Sequence, residues 1–265
     1  MMQDWSPLVP ISKGRQDISP LYCVHGAGGN VLNFYALAGC LDPRLPFFGL
    51  RALGSDGGIE VDTTIPAMAA RYLYVLRKHQ PRGPYRLAGY SGGGVVAFEM
   101  AQQLLTVGEK VDHLVFLDSL APQVERLGMN LAQKLWAARH WDLQFALGWF
   151  QRRGIRPRLR ENAAEIDRLL ASGIPFRDEL PGQRVTEAYS RAEWHYEPRP
   201  YDGTVIIFRA RHAQTLYLHA GAQLGWQGIL TGKVGIHTIR CDHLTMMSGK
   251  AIAEIGALLN KLLLP

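Results

Sequence analysis

Short apolar runs and longer amphipathic stretches alternate along the first half of the chain. Tyr22, Cys23 and Val24 form an apolar run that ends in the glycine-rich segment His25-Gly26-Ala27-Gly28-Gly29. A helix over about 32–38 follows, and then a second apolar run over 47–50. After Thr64, the apolar positions Ile65, Met68, Ala69, Tyr72, Leu73 and Leu76 recur at helical spacing with one buried face. Thr64 can cap this helix, and Pro66 suits its first turn. The helix ends before Pro81-Arg82-Gly83-Pro84. Residues 85–89 read as a strand, 93 to about 107 as a helix closed by Gly108, and 114–117 as another strand. The alternation lapses between about 122 and 194. It resumes with strands at 205–208 and 234–239 and an amphipathic helix over about 251–263.

Strand and helix in this order imply an α/β protein with a mostly parallel sheet and helices on both faces. Residues 1–20 are polar, with prolines at 7, 10 and 20, and read as a linker with little structure. Residues 21–265 then form one domain. The stretch 122–194 is too long for a plain connection. It follows a strand, so it would sit over the edge where open parallel sheets bind ligands. It reads as a helical lid insertion. Its aromatic cluster of Trp136, Trp141, Phe145, Trp149 and Phe150 either packs the lid's own core or lines a tunnel.

Composition narrows the class. The chain has 265 residues, enough for one sizeable core. No apolar run reaches the roughly 18 residues needed to cross a bilayer. Asp4, Lys13, Arg15 and Asp17 interrupt the N-terminal stretch, so no secretory signal is expected. The three cysteines, Cys23, Cys40 and Cys241, are odd in number and have no close pairing, which suggests reduced thiols in a cytoplasmic protein. None has the spacing of a metal site, and Cys23 reads as a small core residue. The formal charge of +6 is a mild basic bias, and no nucleic-acid recognition motif accompanies it. Arg152, Arg153, Arg156, Arg158 and Arg160 concentrate that charge. They form either a solvated basic loop or a docking surface for an acidic partner.

The chemistry centres on Gly89-Tyr90-Ser91-Gly92-Gly93, a G-x-S-x-G sequence between a predicted strand and a predicted helix. Such a turn lifts the Ser91 hydroxyl above the sheet and aims a helix N-terminus at it. A serine hydroxyl needs a base. His243, just after the last strand, is the candidate; His25, at the head of the glycine loop, precedes Ser91 and reads as structural. The acid has three candidates. Asp202 lies before a strand, at the wrong edge. Asp242 adjoins His243, and adjacent loop residues usually point apart. Asp118 follows strand 114–117 and emerges at the right edge. The position after the next-to-last strand reads Phe208-Arg209-Ala210-Arg211-His212-Ala213, without a carboxylate. Asp118 is therefore chosen, to orient His243 and stabilise its imidazolium. Backbone N–H groups of Gly92 and Ala27 are the expected oxyanion donors. Tyr90, Trp194 and Met246 are candidate substrate contacts.

These segments together resemble the terminal thioesterase domains of nonribosomal peptide and polyketide synthases, members of the α/β-hydrolase superfamily. The resemblance rests on Pro20 through Gly29, Gly83 through Gly94, Val96-Ala97-Phe98-Glu99-Met100-Ala101, Leu117-Asp118, Gly225-Trp226 and Asp242-His243-Leu244-Thr245-Met246. It covers nearly the whole chain outside the lid. It implies that an acyl, peptidyl or polyketide chain arrives on the phosphopantetheine of an acyl or peptidyl carrier protein and passes to Ser91. Water or a nucleophile within the chain then releases it. Phosphopantetheine belongs to the carrier, so no cofactor or metal is expected on this domain, and neither nucleic acid nor membrane is an expected partner. Residues 1–20 resemble the linker joining a carrier domain to a terminal domain. With the Tyr90-Ser91-Gly92 elbow, they favour a terminal domain over a separate editing thioesterase. A carboxylesterase and a non-catalytic carrier-binding module are the alternatives.

Overall fold

The computed structural model describes residues 5–58, 60–122, 124, 182–212 and 220–264. Seven strands form one sheet: β1 (Leu8–Ser12), β2 (Leu21–Val24), β3 (Phe47–Leu50), β4 (Tyr85–Tyr90), β5 (Val111–Leu117), β6 (Val205–Ala210) and β7 (Val234–Ile239). Their spatial order is β1-β3-β2-β4-β5-β6-β7. From β3 to β7 every neighbouring pair is parallel, as the alternating strands and helices imply. The described helices are α1 (Asn33–Ala38), α2 (Ile65–His79), α3 (Gly93–Thr106), α4 (Gln183–His195) and α5 (Gly249–Leu263).

Side chains on a strand alternate between faces, so each strand feeds two cores. Tyr22, Val24, Leu114, Phe116, Val205 and Ile207 pack against α2 and α3. Leu21, Cys23, Val115, Leu117, Ile206 and Phe208 pack on the opposite side with α1 and α5. Burial on both faces is why these strands read as continuous apolar runs. Cys23 is fully buried, as a small core residue would be. The N-terminus of α2 follows its sequence signals: the Thr64 hydroxyl accepts the Ala67 N–H at 3.2 Å, with proline in the first turn.

One expectation needs correction. The segment 1–20 is not without structure, because Leu8–Ser12 forms strand β1, antiparallel to β3. Pro10 fits there because an edge strand tolerates a missing N–H, and the register shifts between Pro10 and Ser12. Of the expected insertion over 122–194, Val124 and α4 are described along with the residues flanking that helix. Trp136, Trp141, Phe145, Trp149, Phe150 and the arginines at 152–160 lie outside the described residues.

Trp226 anchors the end of β5. It is fully buried, its ring centroid 4.7 Å from that of Phe116 and 4.9 Å from that of Phe98. Its indole N–H donates to the carbonyl of Ser119 at 2.9 Å. Trp226→Ala should lower the unfolding free energy by about 3–5 kcal/mol. Trp226→Phe, which keeps most of the packing, should cost clearly less. Urea titration of both variants checks the order.

Candidate active site

β4 ends at Tyr90 and α3 begins at Gly93, leaving two residues to reverse the chain. Ser91 takes up that turn with φ of 54°, a left-handed conformation that L side chains rarely adopt. Its N–H donates to the Leu117 carbonyl at 2.9 Å, and its carbonyl accepts the Gly94 N–H at 3.1 Å. The flanking glycines make the turn sterically feasible. A Cβ on Gly89 would lie 2.3 Å from the Gly93 carbonyl, and one on Gly93 would lie 2.2 Å from the His25 carbonyl oxygen.

The neighbouring strand repeats the device. Asp118 leaves β5 with φ of 50°, and its N–H donates to the Phe208 carbonyl of β6 at 2.7 Å. One carboxylate oxygen, Oδ1, accepts the Ala210 N–H at 2.8 Å. The other, Oδ2, lies 2.8 Å from Nδ1 of His243. Nε2 of the same imidazole lies 3.0 Å from the Ser91 hydroxyl oxygen. An ionised carboxylate only accepts, so Nδ1 carries the proton and Nε2 presents its lone pair to Ser91. The structure thus brings Ser91, His243 and Asp118 into one hydrogen-bonded line. Asp242 turns elsewhere: its carboxylate accepts the N–H groups of Leu244 and Thr245, each at 2.9 Å. The Thr245 N–H leads in holding its carboxyl below the usual range.

The glycine loop lies beside the turn. Among the described residues, neither the Ala27 nor the Gly92 backbone N–H has a hydrogen-bond partner. His25 is 1% exposed; its Nδ1 bonds the Gly26 carbonyl, and its Nε2 sits 2.7 Å from the Tyr72 hydroxyl of α2. That arrangement matches a loop-holding role. Burial pushes the His25 pKa down to about 4, so the ring is neutral.

Tyr90 stands against the histidine. Its ring stacks on the His243 imidazole at 5.4 Å between centroids and 14° between planes, and its hydroxyl donates to the His243 carbonyl at 2.9 Å. Burial leads in pushing its phenol up to about 12. Met246 is fully buried in the core on the α1 and α5 side. Trp194 is 44% exposed near the end of α4. Sequence reasoning missed Thr186 and Tyr189 of α4. The Thr186 hydroxyl lies 3.1 Å from the Ala27 carbonyl, and the Tyr189 hydroxyl donates to the Gly92 carbonyl at 2.7 Å. The signal that could have found them was spacing: Gly182, Val185, Thr186 and Tyr189 fall at i, i+3, i+4 and i+7, one face of a helix.

A family model described as a thioesterase domain matches residues 19–261. The chain belongs to the thioesterase domain family. Over 257 residues it is 30% identical to the dimodular nonribosomal peptide synthase of Bacillus subtilis (strain 168), covering 92% of this chain and 10% of that protein. It is 46% identical over 112 residues to indigoidine synthase of Dickeya dadantii (strain 3937), covering 42% of this chain and 7% of that protein. Across these and similar synthetases, the stretch that matches this chain spans between 4% and 17% of the relative's length. Among solved structures, it resembles a holo four-domain nonribosomal peptide synthetase bound to AMP and glycine. That match has a TM-score of 0.72 and 24% identity, covering 98% of this chain and 20% of that one. It also resembles the NocB thioesterase domain in covalent complex with a fluorophosphonate nocardicin G analog. There the TM-score is 0.64 at 23% identity, covering 93% of this chain and 95% of that one. These likenesses show the shared α/β-hydrolase fold. Among the described residues, no helix is long and apolar enough to cross a membrane.

Burial of the neutral His25 predicts that the thioesterase domain loses stability in acid. Its pKa is lower in the folded chain than the ordinary value near 6.5, so the unfolded chain binds the extra proton first. His25 therefore costs no stability above about pH 6.5, and its penalty grows as pH falls towards 4. The loss should reach about 3 kcal/mol. Chemical denaturation between pH 7 and pH 4 should show that slope, and His25→Asn should flatten it.

Proposed function

We propose that this domain releases an acyl, peptidyl or polyketide chain from a carrier-protein phosphopantetheine thioester through an ester on Ser91. The observation that carries the reading is the unbroken line from Asp118 through His243 to Ser91, with contacts of 2.8 Å and 3.0 Å. Membership of the thioesterase family supports the thioester as substrate. The synthetases among its relatives support a carrier protein as the partner.

The geometry fits general base catalysis. His243 Nε2 takes the Ser91 proton as Oγ attacks the thioester carbonyl carbon. The carbonyl oxygen becomes an oxyanion between the N–H groups of Ala27 and Gly92, and the dipole of α3 favours the same charge. The tetrahedral centre collapses, the carbon–sulfur bond breaks, and the imidazolium returns its proton to the departing phosphopantetheine sulfur. An acyl ester remains on Ser91. In the second half, water or a hydroxyl or amine of the chain attacks that ester and gives its proton to His243. Oγ then leaves and regains the proton. The products are a free acid in one case and a ring in the other. Asp118 keeps Nδ1–H directed at itself throughout and stabilises the imidazolium.

The test offers acyl-loaded carrier protein to the purified domain and weighs the products by mass spectrometry. Ser91→Ala should abolish release. Asp118→Asn should lower kcat by about 10³–10⁴-fold, because it favours the wrong imidazole tautomer. Release that persists in Ser91→Ala would refute the proposal. A preference for oxygen esters over matched thioesters would turn the reading into that of a carboxylesterase.

A further inference from the structure

α4 lies directly behind the two proposed oxyanion donors. Its leading edge meets the glycine loop. A Cβ on Gly182 would lie 2.8 Å from the Gly28 carbonyl oxygen, and one on Gly29 would lie 2.8 Å from a Val185 methyl. Four and seven residues after Gly182, the same face carries two hydroxyls, those of Thr186 and Tyr189. Tyr189 is almost completely buried, and its hydroxyl donates to the Gly92 carbonyl at 2.7 Å. Its ring occupies the space where a Gly92 side chain would project: a Cβ there would sit 2.5 Å from the ring carbons. The Thr186 hydroxyl has one proton and two carbonyl neighbours, Ala27 at 3.1 Å and Gly182 of its own helix turn at 2.9 Å. At 3.1 Å against 2.7 Å, Thr186 is the longer of the two links.

We infer that Tyr189, assisted by Thr186, is a positioning residue for acyl transfer: it sets the oxyanion-binding geometry by fixing the Gly92 and Ala27 peptides from behind. This rests on the reading of Ser91 as the acyl acceptor. Gly92 has no side chain to brace it, and it precedes the helical run of α3. A bond to its carbonyl fixes the peptide plane beyond its α-carbon and so limits how its N–H can swing. Ala27 is held in the same manner on the loop side. Burial, followed by the charge of the Glu193 carboxylate and a side-chain hydrogen bond with it, raises the Tyr189 phenol well above its ordinary pKa, so the hydroxyl keeps its proton. One helix thus contacts both halves of the proposed oxyanion site.

Tyr189→Phe keeps the ring and removes only the hydroxyl; Thr186→Val removes the other hydroxyl at nearly constant volume. Each variant is assayed in the whole chain with an acyl N-acetylcysteamine thioester. A boronic acid that forms a tetrahedral adduct with serine and the free-acid product serve as inhibitors. Tyr189→Phe should lower kcat about tenfold, less than the hundredfold or more expected from deleting a donor outright. KM and product binding should stay within about twofold, while boronate affinity falls in step with kcat. Thr186→Val should show a smaller loss of the same kind, and Thr186→Ser should restore it. An unchanged kcat in Tyr189→Phe would overturn the inference. So would a parallel weakening of product and boronate binding, which marks a general structural defect. Fluorophosphonate labelling separates the two readings: no labelling of Ser91 in the unmutated chain defeats the acyl-enzyme proposal, and equal labelling rates in the unmutated chain and Tyr189→Phe defeat only the positioning role.

Discussion

The Asp118 carboxylate uses its two oxygens on two different partners. Oδ1 accepts the Ala210 N–H of β6, and Oδ2 faces His243 Nδ1. The backbone of Asp118 is held in turn by the Phe208 carbonyl, while the Leu117 carbonyl just before it receives the Ser91 N–H. Three adjacent strand ends, those of β4, β5 and β6, are therefore laced together at the point where the hydroxyl and the carboxylate emerge. The lacing allows two non-glycine residues, Ser91 and Asp118, to sit at positive φ side by side. A local cost of about 1–3 kcal/mol for each such residue is carried by the surrounding sheet. Without the parallel register from β4 to β6, the imidazole would have no fixed pair of partners.

Around that edge, buried groups act as braces. Trp226 holds the Ser119 carbonyl, one residue past Asp118. Tyr90 lies flat against His243 and bonds its carbonyl, so the residue before the candidate nucleophile also supports the candidate base. His25, neutral in its burial, ties the glycine loop to Tyr72 of α2. Trp226 and Tyr90 each donate one directed hydrogen bond, and the neutral His25 ring makes two, Nδ1 to the Gly26 carbonyl and Nε2 with the Tyr72 hydroxyl. Such bonds are weak in net stability, near 1 kcal/mol each, but leaving a buried partner unpaired costs more. The result is a candidate site whose donors and acceptors are fixed in direction, as the proposed electrostatic catalysis requires.

Much of this was legible from residues alone, for identifiable reasons. The central strands are buried on both faces and read as apolar runs, and α2 declared itself through Thr64, Pro66 and its apolar spacing. Ser91, Asp118 and His243 could be chosen because chain order and strand edges restrict where each can emerge. Strand β1 escaped notice because it is five residues long, carries a proline and is only partly buried. The polar residues Asp112 and His113 hid the start of β5, which begins at Val111. The loop-facing side of α4 was missed because its stripe is built from glycine, valine, threonine and tyrosine, and only Val185 is a conventional core residue. Its hydroxyls meet carbonyls 159 and 97 residues away in sequence, and no local pattern announces contacts of that range.

The central claim is that Ser91 carries the acyl chain during turnover. Rapid acid quenching of the domain with an acyl thioester, followed by proteolysis and peptide mass spectrometry, tests it most directly. The peptide containing Ser91 should gain the mass of the acyl group within one turnover, and the adduct should accumulate when His243→Ala slows its hydrolysis more than its formation from an activated thioester. Product formed at full rate with no acyl mass on that peptide at any time point would contradict the account.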